Sequence, residues 1–120
     1  LPAGISFLDK DKNPRHRVRI KWWLKSPDTF ADLALPDYVA SNNPKLADIS
    51  APLDTFIDHG PKPVFFGHYW FSRPPSVLCE NTACLDYSVA RKGGLLTAYR
   101  WQGESCLSND NFVSVQSSAK

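Results

Sequence analysis

PVFFGHYWF, residues 63–71, decides how this chain is read. Val64, Phe65 and Phe66 are apolar enough to anchor a buried strand. Gly67 then removes the side chain, allowing a sharp turn or a close approach to a ligand. His68 follows where the strand must end, and strand ends commonly present functional groups. Neutral imidazole is the commonest side-chain ligand for transition metals, so His68 is a candidate ligand as well as a candidate structural histidine.

Working outward, the residues after 71 read as strands. Runs at 63–67, 77–79, 84–89, 95–101 and 112–115 are apolar, β-branched or aromatic, and RKGG (91–94) and QGES (102–105) supply turns between them. Their order predicts sequential antiparallel pairing. Upstream, RHRVRIKWWL (15–24) alternates: Val18, Ile20, Trp22 and Leu24 on one side, Arg17, Arg19, Lys21 and Trp23 on the other. That period predicts a strand with one buried face and one basic face. SPDTFADLAL predicts a short helix capped by Ser26, with Pro27 in its first turn and Pro36 as its end. APLDTFIDHG predicts a second short helix with Leu53, Phe56 and Ile57 on one side and Gly60 as the stop. Residues 36–52 read as an irregular connection. The whole is expected to be one α+β domain or partial domain, 1–120. Residues 1–62 give a strand and short helices, and 63–120 a mostly antiparallel sheet.

Composition narrows the function. The chain has 120 residues, 12% aromatic and 22% charged, a globular rather than disordered balance. A net charge of +2 makes nucleic acid an unlikely partner; the basic strand with its tryptophans is its one foothold. No apolar run approaches the ~18 residues of a membrane span, so no membrane partner is expected. Cys79, Cys84 and Cys106 form no C-x-x-C pair and are odd in number, which predicts reduced thiols in a cytoplasmic protein. The chain contains no Met and starts at Leu1, which leads to the expectation that it is a piece of something longer.

Single residues are read against simple alternatives. His16 lies among arginines and reads as surface; His59 reads as a helix-end residue. Trp22, Trp70 and Trp101 are expected to fill cores, with Trp23 outside. Cys84 reads as a small core residue with no neighbouring base to activate it.

One ordered set of pieces is more specific. Gly67-His68 ends a strand, Leu85-Asp86 lies in another, Gly93-Gly94 forms a turn, and LLTAYRW (95–101) follows. This combination resembles the C-terminal portion of calcineurin-like metallophosphoesterases, in the branch of protein Ser/Thr phosphatases and bacterial dinucleoside tetraphosphatases. The resemblance covers about 40 residues well; residues 1–62 match loosely. It implies the C-terminal part of a two-sheet fold. It implies that His68 is the last ligand of a two-metal site holding Mn, Fe or Zn, which would clamp a phosphoester and activate a water. Tyr69 and Trp70 would sit beside the substrate. Gly67, Asp86, Gly93 and Gly94 would be structural.

The family's other ligands lie in Asp-x-His, Gly-Asp-x-x-Asp and Gly-Asn-His motifs, and none occurs in this sequence. One imidazole cannot build a dinuclear centre. The expectation is therefore a phosphomonoesterase or nucleotide pyrophosphate hydrolase portion with no catalytic residue acting in this chain alone, holding no metal stably by itself. Its substrate would be a phosphoester small molecule or a phosphoprotein. Its partner would be an N-terminal half that supplies the other ligands, or a second copy. The alternative is a non-catalytic binding or oligomerisation module derived from that fold.

Overall fold

The computed structural model describes residues 1–52 and 60–119. The chain divides into two compact units, Leu1–Asp58 and His59–Lys120, and each is described by itself. The described residues form a mixed α+β structure, mostly strands, with two short α-helices.

The first unit is small ladders around short helices. β1 (Phe7–Leu8) pairs with β2 (Pro14–Arg15), and β3 (Arg19–Ile20) pairs with β4 (Ala34–Leu35), both antiparallel. The long alternating strand expected over 15–24 is therefore replaced by two separate ladder pieces. The reason is local. The chain turns directly after β3, with the Leu24 N–H donating to the Lys21 carbonyl at 3.1 Å. The turn swings Trp23 inward to 4% exposure, where it packs edge-on against Trp22 with ring centroids 5.7 Å apart. Alternation had placed Trp23 outside.

Helix α1 (Phe30–Leu33) starts three residues later than expected. Its cap is Thr29, not Ser26: the Thr29 hydroxyl accepts from the Asp32 N–H while the Asp32 carboxylate accepts from the Thr29 N–H at 2.9 Å. That reciprocal box satisfies orphan donors at both positions. The span 36–52, expected to be irregular, holds helix α2 (Tyr38–Asn42) and a 3₁₀ turn at Pro44–Asp48. Ala34, Val39 and Leu46 form the core, with Phe7, Val18 and Phe30 packed on it. The second helix expected in APLDTFIDHG, and His59 with it, falls mainly on 53–59, outside the described residues.

The second unit carries two three-stranded sheets. β5 (Val64–Phe66), β6 (Val77–Cys79) and β7 (Thr82–Cys84) lie in the order β5-β7-β6; β8 (Asp86–Tyr87), β9 (Leu95–Tyr99) and β10 (Phe112–Gln116) lie in the order β10-β9-β8. Most pairs are antiparallel, as expected, but β5 pairs with β7 in parallel. Sequence order alone suggested otherwise; the excursion through β6 returns the chain to run beside β5. All three residues of β7 are buried. Cys84 is among them, and burial raises its thiol pKa, leaving it the small core residue the sequence suggested. The expected strand at 84–89 is thus split between β7 and β8.

Polar side chains close the loops. Asn81, 7% exposed, donates its amide to the Gly60 and Lys62 carbonyls at 2.7 and 3.1 Å. Glu104 accepts from the Tyr99 hydroxyl at 2.7 Å, from the Asn111 amide at 3.1 Å and from the Gln102 N–H at 2.7 Å. These bonds, the Tyr99 hydroxyl first, hold the Glu104 carboxyl below the usual carboxylate range.

The sign follows from linkage. A depressed folded-state pKa contributes stability above the unfolded value, ~4.3 for Glu, and loses it as pH falls through the folded value. Glu104→Gln should melt below the parent at pH 7, and the gap should close as pH drops below about 4. Paired thermal melts from pH 7 to pH 2.5 check this; a gap that stays constant would show that the charge contributes nothing.

Candidate functional site

The parallel pairing of β5 with β7 sets the site. The Leu85 N–H donates to the Phe66 carbonyl at 2.8 Å, so the end of β5 lies against the start of β8. A Cβ on Gly67 would lie 3.6 Å from the Cβ of Asp86, an ordinary contact. Gly67 itself has no left-handed backbone. The turn expected there falls on the next residues: His68 has φ 67° and Trp70 φ 53°. A side chain in this region costs energy, least for residues such as His and more for a bulky one.

The loop is held in that shape by β8. The Asp86 carboxylate accepts from the Trp70 N–H at 3.4 Å and from the Ser88 N–H at 3.1 Å. The Asp86 carbonyl accepts from the Phe71 N–H at 3.1 Å, and the Ser88 hydroxyl donates to the Phe71 carbonyl at the same distance. Ser88 is itself left-handed, with φ 59°. Gly94 must lack a side chain because a Cβ there would come within 1.9 Å of the Ser88 carbonyl oxygen. Gly93, at φ 77°, carries the turn that returns the chain to β9.

Aromatic rings follow the loop outward. Phe66 and Tyr69 meet edge-on at 5.1 Å, Tyr69 and Phe71 lie 6.1 Å apart, and Phe71 meets Tyr87 at 5.9 Å. His68 is exposed and meets the Trp70 ring at 5.6 Å, nearly perpendicular. Trp70 is 50% exposed and Trp101 54%, so neither fills a core as expected; Trp22 is half-buried. Trp70 stands in the loop beyond β5, in left-handed backbone. Two arginines lie over these rings: Arg73 on Phe71 at 4.5 Å and Arg91 on Trp70 at 5.5 Å. Sequence spacing indicated neither contact, since position 91 approaches position 70 only through the β8–β9 turn.

His68, Tyr69, Trp70 and Asp86 are thus brought together, with Gly67, Gly93 and Gly94 in the backbone that supports them. The donor set is small. No group of three or more His, Cys, Asp or Glu able to hold a metal occurs among the described residues. Asp86, the carboxylate nearest the loop, is engaged by two N–H groups. These residues fit one ligand of a metal centre, not a centre. No family model, curated protein or solved structure matches this chain.

The left-handed backbone at His68 makes its own test. His68→Gly should be more stable than His68→Ala by roughly 1 kcal/mol, because only glycine enters that region without a Cβ penalty. Urea denaturation of the two variants measures the difference. Equal stabilities would mean that position 68 is not left-handed in solution.

Proposed function

We propose that this chain is the C-terminal portion of a metal-dependent phosphoesterase, acting on a phosphomonoester or a nucleotide pyrophosphate link. The observation that carries the reading is the position of His68. It is exposed, directly follows the end of β5, and stands in a loop fastened to Asp86. The pieces that carry the family resemblance come from separate stretches, yet lie in one compact unit. In this reading the fold is the C-terminal part of the two-sheet metallophosphoesterase fold. His68 supplies one ligand to a pair of divalent ions, and Tyr69 and Trp70 flank the substrate. The described residues do not complete the ligand set, and in this reading an N-terminal half supplies the remaining ligands. The isolated chain is then inactive, and no catalytic step is assigned to its residues. A cytoplasmic setting agrees with the thiols of Cys79, Cys84 and Cys106, which are free, and no helix among the described residues is long and apolar enough to cross a membrane.

The test uses the longer natural product that contains these residues. It should hydrolyse p-nitrophenyl phosphate or a dinucleoside polyphosphate with Mn²⁺. His68→Ala should cost about 100-fold or more in kcat/KM, since even groups that merely orient metal ligands are worth 10–100-fold. Full activity in that variant, or robust turnover by the 120-residue chain alone, overturns the reading.

A second reading, a non-catalytic oligomerisation module, is favoured by the outer face of β9 and β10. Leu96 pairs with Val115 and Ala98 with Val113, so all four share one face, and Leu96 and Val115 are 61% and 64% exposed. Exposed apolar faces of this kind associate or are covered. Under this reading the pure chain sediments as a dimer or larger, and Leu96→Lys with Val115→Lys returns it to monomer. A monomeric parent chain removes the reading.

A further inference from the structure

Trp70 and Arg91 are joined by neither sequence nor strand pairing, yet the Arg91 guanidinium carbon lies 5.5 Å from the centre of the Trp70 ring. Three features distinguish this pair from a contact that only packs. Half of Trp70 remains exposed. The Arg91 guanidinium makes no ion pair or hydrogen bond among the described residues; only its backbone is engaged, in the turn with Ser88 and Gly94. The Asp86 carboxylate already accepts two backbone N–H groups, while Lys92 adds a second cation to the turn. A half-exposed indole with a planar cation over its ring, a cation that makes no ion pair or side-chain hydrogen bond among the described residues, therefore stands at the rim of the His68 loop.

We propose that Trp70 and Arg91 form a subsite for a phosphate ester carrying a planar aromatic group. The ring stacks on the indole, and the phosphate accepts hydrogen bonds from the guanidinium. Arginine suits this role because its fork matches the oxygens of a phosphate and it rests on aromatic faces without losing its donors. Stacking on an exposed indole tolerates many rings, so the ring contributes affinity and the charge requires the ester. The inference rests on the phosphoesterase reading for one point: the ester held here is the substrate whose reacting phosphate lies toward His68. Trp70 then selects aromatic over plain phosphoesters, and Arg91 selects the ester over the uncharged ring.

The experiment titrates the full 120-residue chain with adenosine 5′-monophosphate and follows the tryptophan indole N–H signals by NMR. Trp70→Phe assigns the Trp70 signal. Expected is a saturable shift confined to that signal. Arg91→Gln should weaken binding roughly tenfold, the value of a charge-assisted hydrogen bond. Adenosine and ribose 5-phosphate, each lacking one half of the ligand, should each bind at least about tenfold more weakly than the intact ester. Overturning results are no shift at millimolar ligand, ribose 5-phosphate binding as well as the nucleotide, or unchanged affinity in Arg91→Gln. Binding at Trp70 with no hydrolysis by the longer protein would sink the phosphoesterase reading and leave the subsite standing. Hydrolysis with no Trp70 response would do the reverse.

Discussion

The second unit depends on one buried strand. β7 has no exposed residue, and it binds β5 on one edge in parallel and β6 on the other in antiparallel. A strand buried along its whole length must have its backbone groups paired on both edges, because an unpaired buried N–H or C=O costs about as much as a lost hydrogen bond. The parallel partner supplies the second edge. Its consequence is positional: β5 and the β7–β8 connection run the same way, so Gly67 arrives beside Asp86. Antiparallel pairing would have put the start of β5 there instead, and His68 would lie at the other end of the sheet. The loop of interest is thus placed by the pairing of β5 with β7, which ends one residue before it.

Loops this short cannot satisfy their own polar groups, and the chain answers with side-chain acceptors. Asp86 takes up two N–H groups of backbone held left-handed, Asn81 ties the lead-in to β5, and Glu104 gathers Tyr99, Asn111 and Gln102. Thr97 and Ser114 share a hydrogen bond across the β9–β10 ladder at 3.1 Å. No buried side-chain N or O atom lacks a partner among the described residues. Such closure matters more than the gain from any single bond, since an orphaned buried group costs more than a made bond returns.

The legible part of the sequence was the part governed by neighbours. Val77–Cys79, Leu95–Tyr99 and Phe112–Gln116 lie where period-two runs and flanking turns put them, and Gly93-Gly94 turns where the glycines allow it. Thr29 against Ser26 shows the limit: both can cap, and the choice was made by Asp32, which lies three residues after Thr29 and can close the box. Trp23 shows another. Alternation assumes a continuing strand, and a single turn at Lys21–Leu24 reverses which side is inside. The β5–β7 pairing and the approach of Arg91 to Trp70 were not legible, because both depend on how distant segments return. For the site, His68, Tyr69 and Trp70 were visible as a motif; Arg91 carried no local signal at all.

His68 and Trp70 are the two residues of the loop in left-handed backbone, and each has a polar or aromatic neighbour outside the core. A chain selected only for stability would put glycine or asparagine at such positions. Gly67 shows that glycine is present one step away, where the backbone does not require it. The conformational cost is therefore borne by the side chains that face outward, while the permissive residue sits at the strand end. Strained positions persist where the surroundings over-determine them, and here Asp86 and Ser88 do so through four hydrogen bonds to the loop and to each other. Those bonds fix a turn that carries an imidazole and an indole on its exposed side, their ring centroids 5.6 Å apart.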